Sequence, residues 1–293
     1  MLQELNQQFA IGEQLKFETH PSGLVQGKID TDKCTGIFFL LGSHVAEFQP
    51  RSQTQPVLFM SDEAVFEVGK PIRGGIPICF PWFGPNKADA SAPAHGSVRT
   101  ALWNVQESKL TDGGVLITLG YQSAPYRLAL TVIFGETLDV TLHVQNEADI
   151  QVPCEVALHT YFLLGDARRA FLTGLENTDF RDQLTGEIHP ATGSKIQFTG
   201  ETDRVYHGSV PLVTIEDVAN SRRIQVRPRR SSSTVVWNPW IAKSQRMSDF
   251  GDDEFERMCC VETANVAPHN WVIQAGQSQS IGFEISASSA SQT

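Results

Sequence analysis

The 293 residues are 41% hydrophobic and 19% charged, enough apolar material for a large buried core and the wrong composition for a disordered or fibrous chain. A formal charge of −10 excludes a protein built mainly to grip nucleic acid or an anionic membrane, since both demand a positive field. Five cysteines (Cys34, Cys79, Cys154, Cys259, Cys260) without framework spacing, an opening "MLQELNQQFAIGEQLKF" that lacks a signal-peptide core, and no apolar run near ~18 residues lead us to expect reduced thiols, no membrane span and a cytoplasmic location.

In chain order, Leu2, Leu5 and Phe9 are spaced for one short helix, after which period 2 takes over. "GIFFLLGSHVAEFQ" reads as strand. "RGGIPICFPWFGP" (73–85), dense in glycine, proline and aromatics, reads as a rigid irregular loop that holds Trp82 and Phe83 in place, flat aromatics of the kind that wall a sugar ring, with Trp82 taken as the wall. The loop "NKADASAPAHGSVR" then delivers His95 and Arg99. "GVLITLGY" and "RLALTVIF" are strands, and "GET" joins the latter to "LDVTLHV", in which Leu138, Val140, Leu142 and Val144 share a face. That pair predicts an antiparallel hairpin.

In "CEVALHTYFL", alternation puts Val156, Leu158, Thr160 and Phe162 toward the core, and Glu155, Ala157, His159 and Tyr161 on the other face, so His159 looks into a groove or into solvent. "RIQVRP" and "STVVWNP" continue the strand series, and "SDFGDDEFERM" suggests a helix. In "MCCVETANV", Glu262 shares a face with Met258, Cys260 and Ala264, where a carboxylate costs desolvation unless it is partnered or lines a wet cleft. After "SIGFEIS", residues 286–293 are expected to fray. So many strands and so few helices predict an all-β fold, a large antiparallel β-sandwich forming a single domain over 1–293. Arg222, Arg223, Arg227, Arg229 and Arg230 form a cluster that we read as a charged strand edge, without assigning it a role.

"RGGIPICFPWFGP", "AHGSVR", "ALHTYF", "TDRVY", "WNPW" and "MSDFGDDEFERMCCVETA" occur in the order and approximate spacing of the D-hexose-6-phosphate mutarotases (glucose-6-phosphate 1-epimerases), a branch of the aldose 1-epimerase family, which the chain resembles over most of its length. The resemblance implies a galactose-mutarotase-like supersandwich that interconverts the α and β anomers of hexose 6-phosphates without metal, nucleotide or other cofactor. It further implies that His159 is the general acid and Glu262 the general base, that Arg73 and Arg99 bind the phosphate, that His95 lies beside the sugar, and that Asp203 orients its hydroxyls. The residue types suit this chemistry. Ring opening protonates the ring oxygen and removes the proton of the anomeric hydroxyl, work for a histidine and a carboxylate of raised pKa, and guanidinium groups hold a phosphate dianion through paired donors. We expect a monomer. The residues leave two alternatives open: an epimerase for unphosphorylated aldoses, and a non-catalytic sugar-phosphate-binding protein.

Overall fold

The computed structural model describes residues 2–290. Two large antiparallel sheets dominate. The nine-stranded sheet runs in the order Ile196–Gln197, Phe171–Thr173, Val213–Asp217, Arg222–Arg229, Ser278–Ser289, Leu138–Asn146, Tyr126–Phe134, Gly114–Ser123, Asn104–Thr111. The eight-stranded sheet carries Ile188–His189, Phe180–Asp182, Thr202–His207, Ser233–Asn238, Met258–Asn265, Val156–Leu158 and Ile78–Cys79, with Tyr161–Leu163 also paired to Met258–Asn265. A four-stranded sheet (Leu15–Thr19, Val25–Asp30, Cys34–Phe39, His44–Pro50) and a two-stranded one (Val152–Cys154, Trp271–Ile273) complete the architecture.

The expected hairpin is present: Tyr126–Phe134 pairs with Leu138–Asn146, and Leu138, Val140, Leu142 and Val144 all point into the core, fully buried. Each such side chain contributes about 1.5–3 kcal/mol on leaving water. That core lies between the two large sheets, where Val132, Leu142, Ile224 and Ile285 of one meet Leu158, Phe162, Val236 and Val261 of the other. The opposite face of the eight-stranded sheet is covered as well. Phe59, Phe250 and Phe255 close over Tyr161, Trp237, Met258 and Cys260, so Ser233–Asn238 and Met258–Asn265 are buried along their whole length. A strand buried on both faces reads as a nearly continuous apolar run, and a polar residue in it stands out.

Three expectations are corrected. "SDFGDDEFERM" holds only a 3₁₀ turn, Glu254–Arg257, because the Glu254 carboxylate accepts from the Gly251 and Asp62 amides and ties the segment into a compact loop. The tail is ordered further than expected: Ser286–Ser289 continues the last strand and pairs with Arg222–Gln225, since a ladder needs only backbone groups. Residues 291–293 of the segment expected to fray lie outside the described residues. The arginine cluster is not at a strand edge: Arg222–Arg229 lies inside the nine-stranded sheet, between Val213–Asp217 and Ser278–Ser289. Arg222 is buried against Asp217, and Arg223, Arg227 and Arg229 pair with Glu216, Glu284 and Asp139 on neighbouring strands, while Arg230 donates to Ser280. Among the described residues, no helix is long and apolar enough to cross a membrane.

Candidate active site

Sheet register builds the centre of the site. Leu158 pairs with Thr263 and Tyr161 with Cys260, and this common register sets the intervening His159 directly opposite Glu262. Cross-strand neighbours on one face stand ~5 Å apart at Cβ, close enough for two polar side chains to touch. Here His159 Nε2 lies 3.3 Å from Glu262 Oε1. The next strands extend the same face: Glu262 pairs with Val235 and that with Val205, while Cys260 pairs with Trp237 and that with Asp203. His159, Glu262 and Asp203 thus share one surface of the eight-stranded sheet, as alternation predicts.

Tyr161 lies beneath the catalytic candidate. Its ring stacks on the His159 imidazole at 4.8 Å and 10°, and Trp237 meets the same imidazole edge-on at 6.0 Å. His159 Nδ1 and Glu262 Oε2 are buried without a hydrogen-bond partner among the described residues. Each group therefore holds the other by one atom and keeps a second atom uncommitted.

Loops supply the remaining walls, and glycine lets them approach. Gly75 (φ +56°) crosses so close to the four-stranded sheet that a Cβ would stand 2.3 Å from the Val45 carbonyl, which fixes the path of the chain just after Arg73. Gly96 (φ +80°) presses on Phe80, leaving only 1.8 Å to its carbonyl for a Cβ. Beside it, His95 adopts φ +64°, an uncommon conformation for a residue with a side chain, and its amide donates to the Gly84 carbonyl. His95 Nδ1 accepts from the Gly84 amide at 3.3 Å, which leaves Nε2 to carry the proton of the neutral ring and to donate.

The result is a cavity of about 490 Å³ lined by Arg73, His95, Arg99, His159, Asp203 and Glu262, together with Phe83, Gly84, Pro85, Ala94, Gln183, Trp237, Lys243 and Met247. Six of the seven residues singled out from the sequence converge here. Trp82 does not line it; its indole N–H donates to the Pro93 carbonyl and braces the loop, and the adjacent Phe83 provides the aromatic wall. Gln183, Lys243 and Met247 escaped sequence reasoning, because a turn and the short helix Trp240–Ser244 with its exit carry them without any period. A larger cavity, about 570 Å³, lies elsewhere, but Asp62, Glu63, Asp166, Asp253, Glu254 and Glu256 line it, a set that repels a phosphate. Among the described residues no three His, Cys, Asp or Glu side chains converge as a metal-ligand set.

The electrostatics separate the groups into kinds. Burial, reinforced by His95, Arg99 and Arg73, holds the His159 imidazole well below its usual range. Burial, reinforced by Asp203 and opposed by Arg99, holds the Glu262 carboxyl well above its own. The ion pair and the neutral pair differ by the transfer of one proton across the 3.3 Å contact, and burial favours the neutral one. His95 is lowered to about 3, by burial first and then by Arg99, Arg73 and Lys243. Asp203 is raised to about 6 by burial, with Glu201 and Asp182 adding to the effect and Lys243 opposing it.

The cations differ in how they are compensated. Arg73 donates to both Asp249 oxygens and, through Nη1, to Tyr161 Oη at 2.9 Å. Lys243 Nζ stands 3.2 Å from Glu201 and 3.9 Å from Asp203. Arg99 has no carboxylate within ion-pair distance among the described residues: Nη2 donates to the Ala94 carbonyl, and Nε is buried without a partner.

An antiparallel supersandwich bearing an imidazole–carboxylate pair on the floor of a polar, sugar-sized cavity defines a galactose-mutarotase-like carbohydrate isomerase. Residues 28–286 match the profile of the aldose 1-epimerase family, and the chain belongs to that family. A Salmonella typhimurium protein named "Putative glucose-6-phosphate 1-epimerase" is 33% identical over 245 residues, covering 80% of this chain and 81% of its own; a namesake from Cenchrus ciliaris is 30% identical over 266 residues, covering 84% and 80%. The crystal structure of YeaD from Salmonella typhimurium, described there as a "putative mutarotase", superposes with a TM-score of 0.88 at 27% identity over 96% of each chain. The protein is an epimerase, an isomerase of sugar anomers.

Proposed function

We propose that this epimerase acts on hexose 6-phosphates, glucose 6-phosphate first among them, in a reducing compartment such as the cytoplasm. One observation carries the reading: Arg99 presents an uncompensated guanidinium, with a buried unsatisfied Nε, inside the cavity that holds the His159–Glu262 pair. A planar donor fork without an anion is suited to a phosphate dianion, and a neutral sugar offers nothing to match it. The names of the relatives point the same way.

In this reading Glu262, as carboxylate, takes the proton of the anomeric hydroxyl while His159, as imidazolium, protonates the ring oxygen. The O–H electron pair becomes the C1=O bond as the ring C–O bond breaks, giving the open aldehyde. Rotation about C1–C2 and re-closure invert the anomeric centre, with the two groups exchanging roles as microscopic reversibility requires. Re-closure itself restores the starting pair, because His159 takes the proton of the ring hydroxyl and Glu262 returns its proton to the anomeric oxygen. His95 donates through Nε2 to a sugar oxygen, Asp203 orients hydroxyls, Arg73 joins Arg99 at the phosphate, and Trp82 holds the loop that carries Phe83.

The test is kcat/KM for glucose 6-phosphate and for glucose in wild type and Arg99→Ala. Loss of a hydrogen bond to a charged group, about 1.5–3 kcal/mol, lowers use of the phosphosugar by about 10- to 150-fold. Glucose, with no phosphate to lose, does not fall. Equal losses for both sugars would show that Arg99 holds the cavity together and does not read phosphate.

A further inference from the structure

We propose that the catalytic cavity opens into a second subsite that reads an acidic substituent on C3 of the sugar, so that among hexose 6-phosphates the enzyme favours those carrying a carboxylate on a short ether at that position. This deepens the reading above and rests on it: phosphate at Arg99, ring oxygen at His159 and anomeric hydroxyl at Glu262.

A second cavity, of about 370 Å³, adjoins the first and shares Phe83, Gly84, Pro85 and Gln183 with it as a common wall. Gln183 is tied to the catalytic site itself, since its amide donates to the Asp203 carbonyl at 2.8 Å. Sheet register aligns the two cavities. Glu262 pairs with Val235, Val235 with Val205 and Val205 with Arg181, so Arg181 stands on the same face and in the same row as the catalytic pair, three strand spacings or about 14 Å from Glu262 along the sheet. Val205 and Arg181 both line the second cavity.

The row has a direction. Arg99 follows Gly96 and Ser97, which bond to Phe80 beside the edge strand Ile78–Cys79, and that strand pairs with Ala157 and Leu158 just before His159. Arg73 donates to Tyr161 Oη, two residues after His159. Both arginines therefore lie at the His159 end of the row, and Arg181 lies toward the opposite edge of the sheet. A sugar with its phosphate at the first end and its ring oxygen at His159 points the opposite ring atom along the row toward Arg181. In a pyranose the atom across from the ring oxygen is C3.

The lining suits an acid on a short tether. Val205, Val266 and Phe83 give the second cavity an apolar surface, and two cations, Lys87 and Arg181, face a single acid, Glu155. That acid is committed: its two carboxylate oxygens accept from the Phe83 amide at 3.0 Å and the Ala267 amide at 2.9 Å. Arg181 Nη1 makes only a long bond, 3.5 Å, to the Gly186 carbonyl, and among the described residues neither cation has a carboxylate within ion-pair distance. Such donors match a carboxylate through charge-assisted hydrogen bonds, and the bare C3 hydroxyl of glucose 6-phosphate supplies no charge to meet them.

The experiment compares kcat/KM for anomer exchange of glucose 6-phosphate, its 3-O-methyl ether and its 3-O-carboxymethyl ether in wild type, Arg181→Gln and Lys87→Gln. Wild type should use the carboxymethyl ether about 10- to 150-fold better than the methyl ether, the range of one hydrogen bond to a charged group. Arg181→Gln should remove most of that preference and Lys87→Gln part of it, with use of glucose 6-phosphate unchanged in both, since neither residue lines the catalytic cavity. The comparison of the two ethers in wild type stands whether or not a variant folds. Equal use of both by a wild type that still prefers glucose 6-phosphate to glucose would overturn the second subsite and leave the phosphate reading intact. A preference that survives both substitutions would overturn the part given to the two cations. A wild type that uses glucose as well as glucose 6-phosphate would overturn the phosphate reading, and with it the orientation that points C3 at Arg181.

Discussion

His159 and Glu262 touch through one atom each and leave Nδ1 and Oε2 uncommitted, so proton gain at one is coupled to proton loss at the other. Groups that act as one unit show strongly non-additive losses. His159→Asn and Glu262→Gln should each lower kcat for glucose 6-phosphate by at least about 10²-fold, the scale of one general acid or base. The double variant should lose little more than either single one, which a three-variant kinetic comparison would check; multiplying losses would mean that the two act independently. Glu262→Gln keeps side-chain volume, His159→Asn gives up part of the ring, and both remove a group that burial disfavours in its charged form, so folding should change less than rate. His95 contributes differently. Held neutral down to about pH 3, it remains a donor through Nε2 across the working range, and its titration leaves no mark on a pH profile.

At the scale of strands and loops, what was legible in the sequence followed from period 2. Alternation set His159 and Glu262 off the main core face, and the register Leu158–Thr263 and Tyr161–Cys260 brings them opposite each other. Alternation could not reveal that Phe59, Phe250 and Phe255 cover part of the same face and leave His159 buried rather than facing solvent. Lys243, Met247 and Gln183 lie where no period exists, and within an irregular loop nothing in the sequence separates Phe83 from Trp82 as the wall. The arginine cluster was equally opaque, because the acids that answer it sit on strands paired only in three dimensions. Arg222 and Arg223 make the contrast measurable. Arg222 is buried with Asp217 and also donates to the Pro56 and Leu163 carbonyls, so Arg222→Ala strands a buried carboxylate and should cost about 3–5 kcal/mol in urea unfolding. The Arg223–Glu216 pair is half exposed, and Arg223→Ala should cost no more than about 1 kcal/mol. Gly96→Ala should cost about 2–4 kcal/mol and misplace His95, since the new Cβ meets the Phe80 carbonyl at 1.8 Å.

Over the whole molecule, burying histidines makes stability depend on pH. His44, packed away from the cavity with Nε2 unpartnered, is lowered to about 3 by burial, with Arg99 adding to the effect. Its folded pKa lies below its unfolded value of about 6.5, so between those limits the unfolded chain binds the extra proton and stability falls as pH falls. The slope from this one residue is about 1.4 kcal/mol per pH unit. Asp203, raised to about 6, acts with the opposite sign: it favours the folded state on acidification between about 6 and its usual value near 4. His44→Gln should therefore flatten the loss of stability between about pH 6 and pH 4 by about 1.4 kcal/mol per unit, whereas Asp203→Asn should steepen it. Denaturant midpoints across that range would check both.

The central claim is that one buried imidazole–carboxylate pair on the second face of the sheet catalyses anomer exchange of a phosphosugar. The most direct test is the approach of pure α-glucose 6-phosphate to anomeric equilibrium, followed by NMR with wild type, with Glu262→Gln and without enzyme. The account predicts rapid exchange with wild type and, for the folded variant, a rate at least about 10²-fold lower, toward the spontaneous one. A Glu262→Gln protein that equilibrates the anomers as fast as wild type would contradict it.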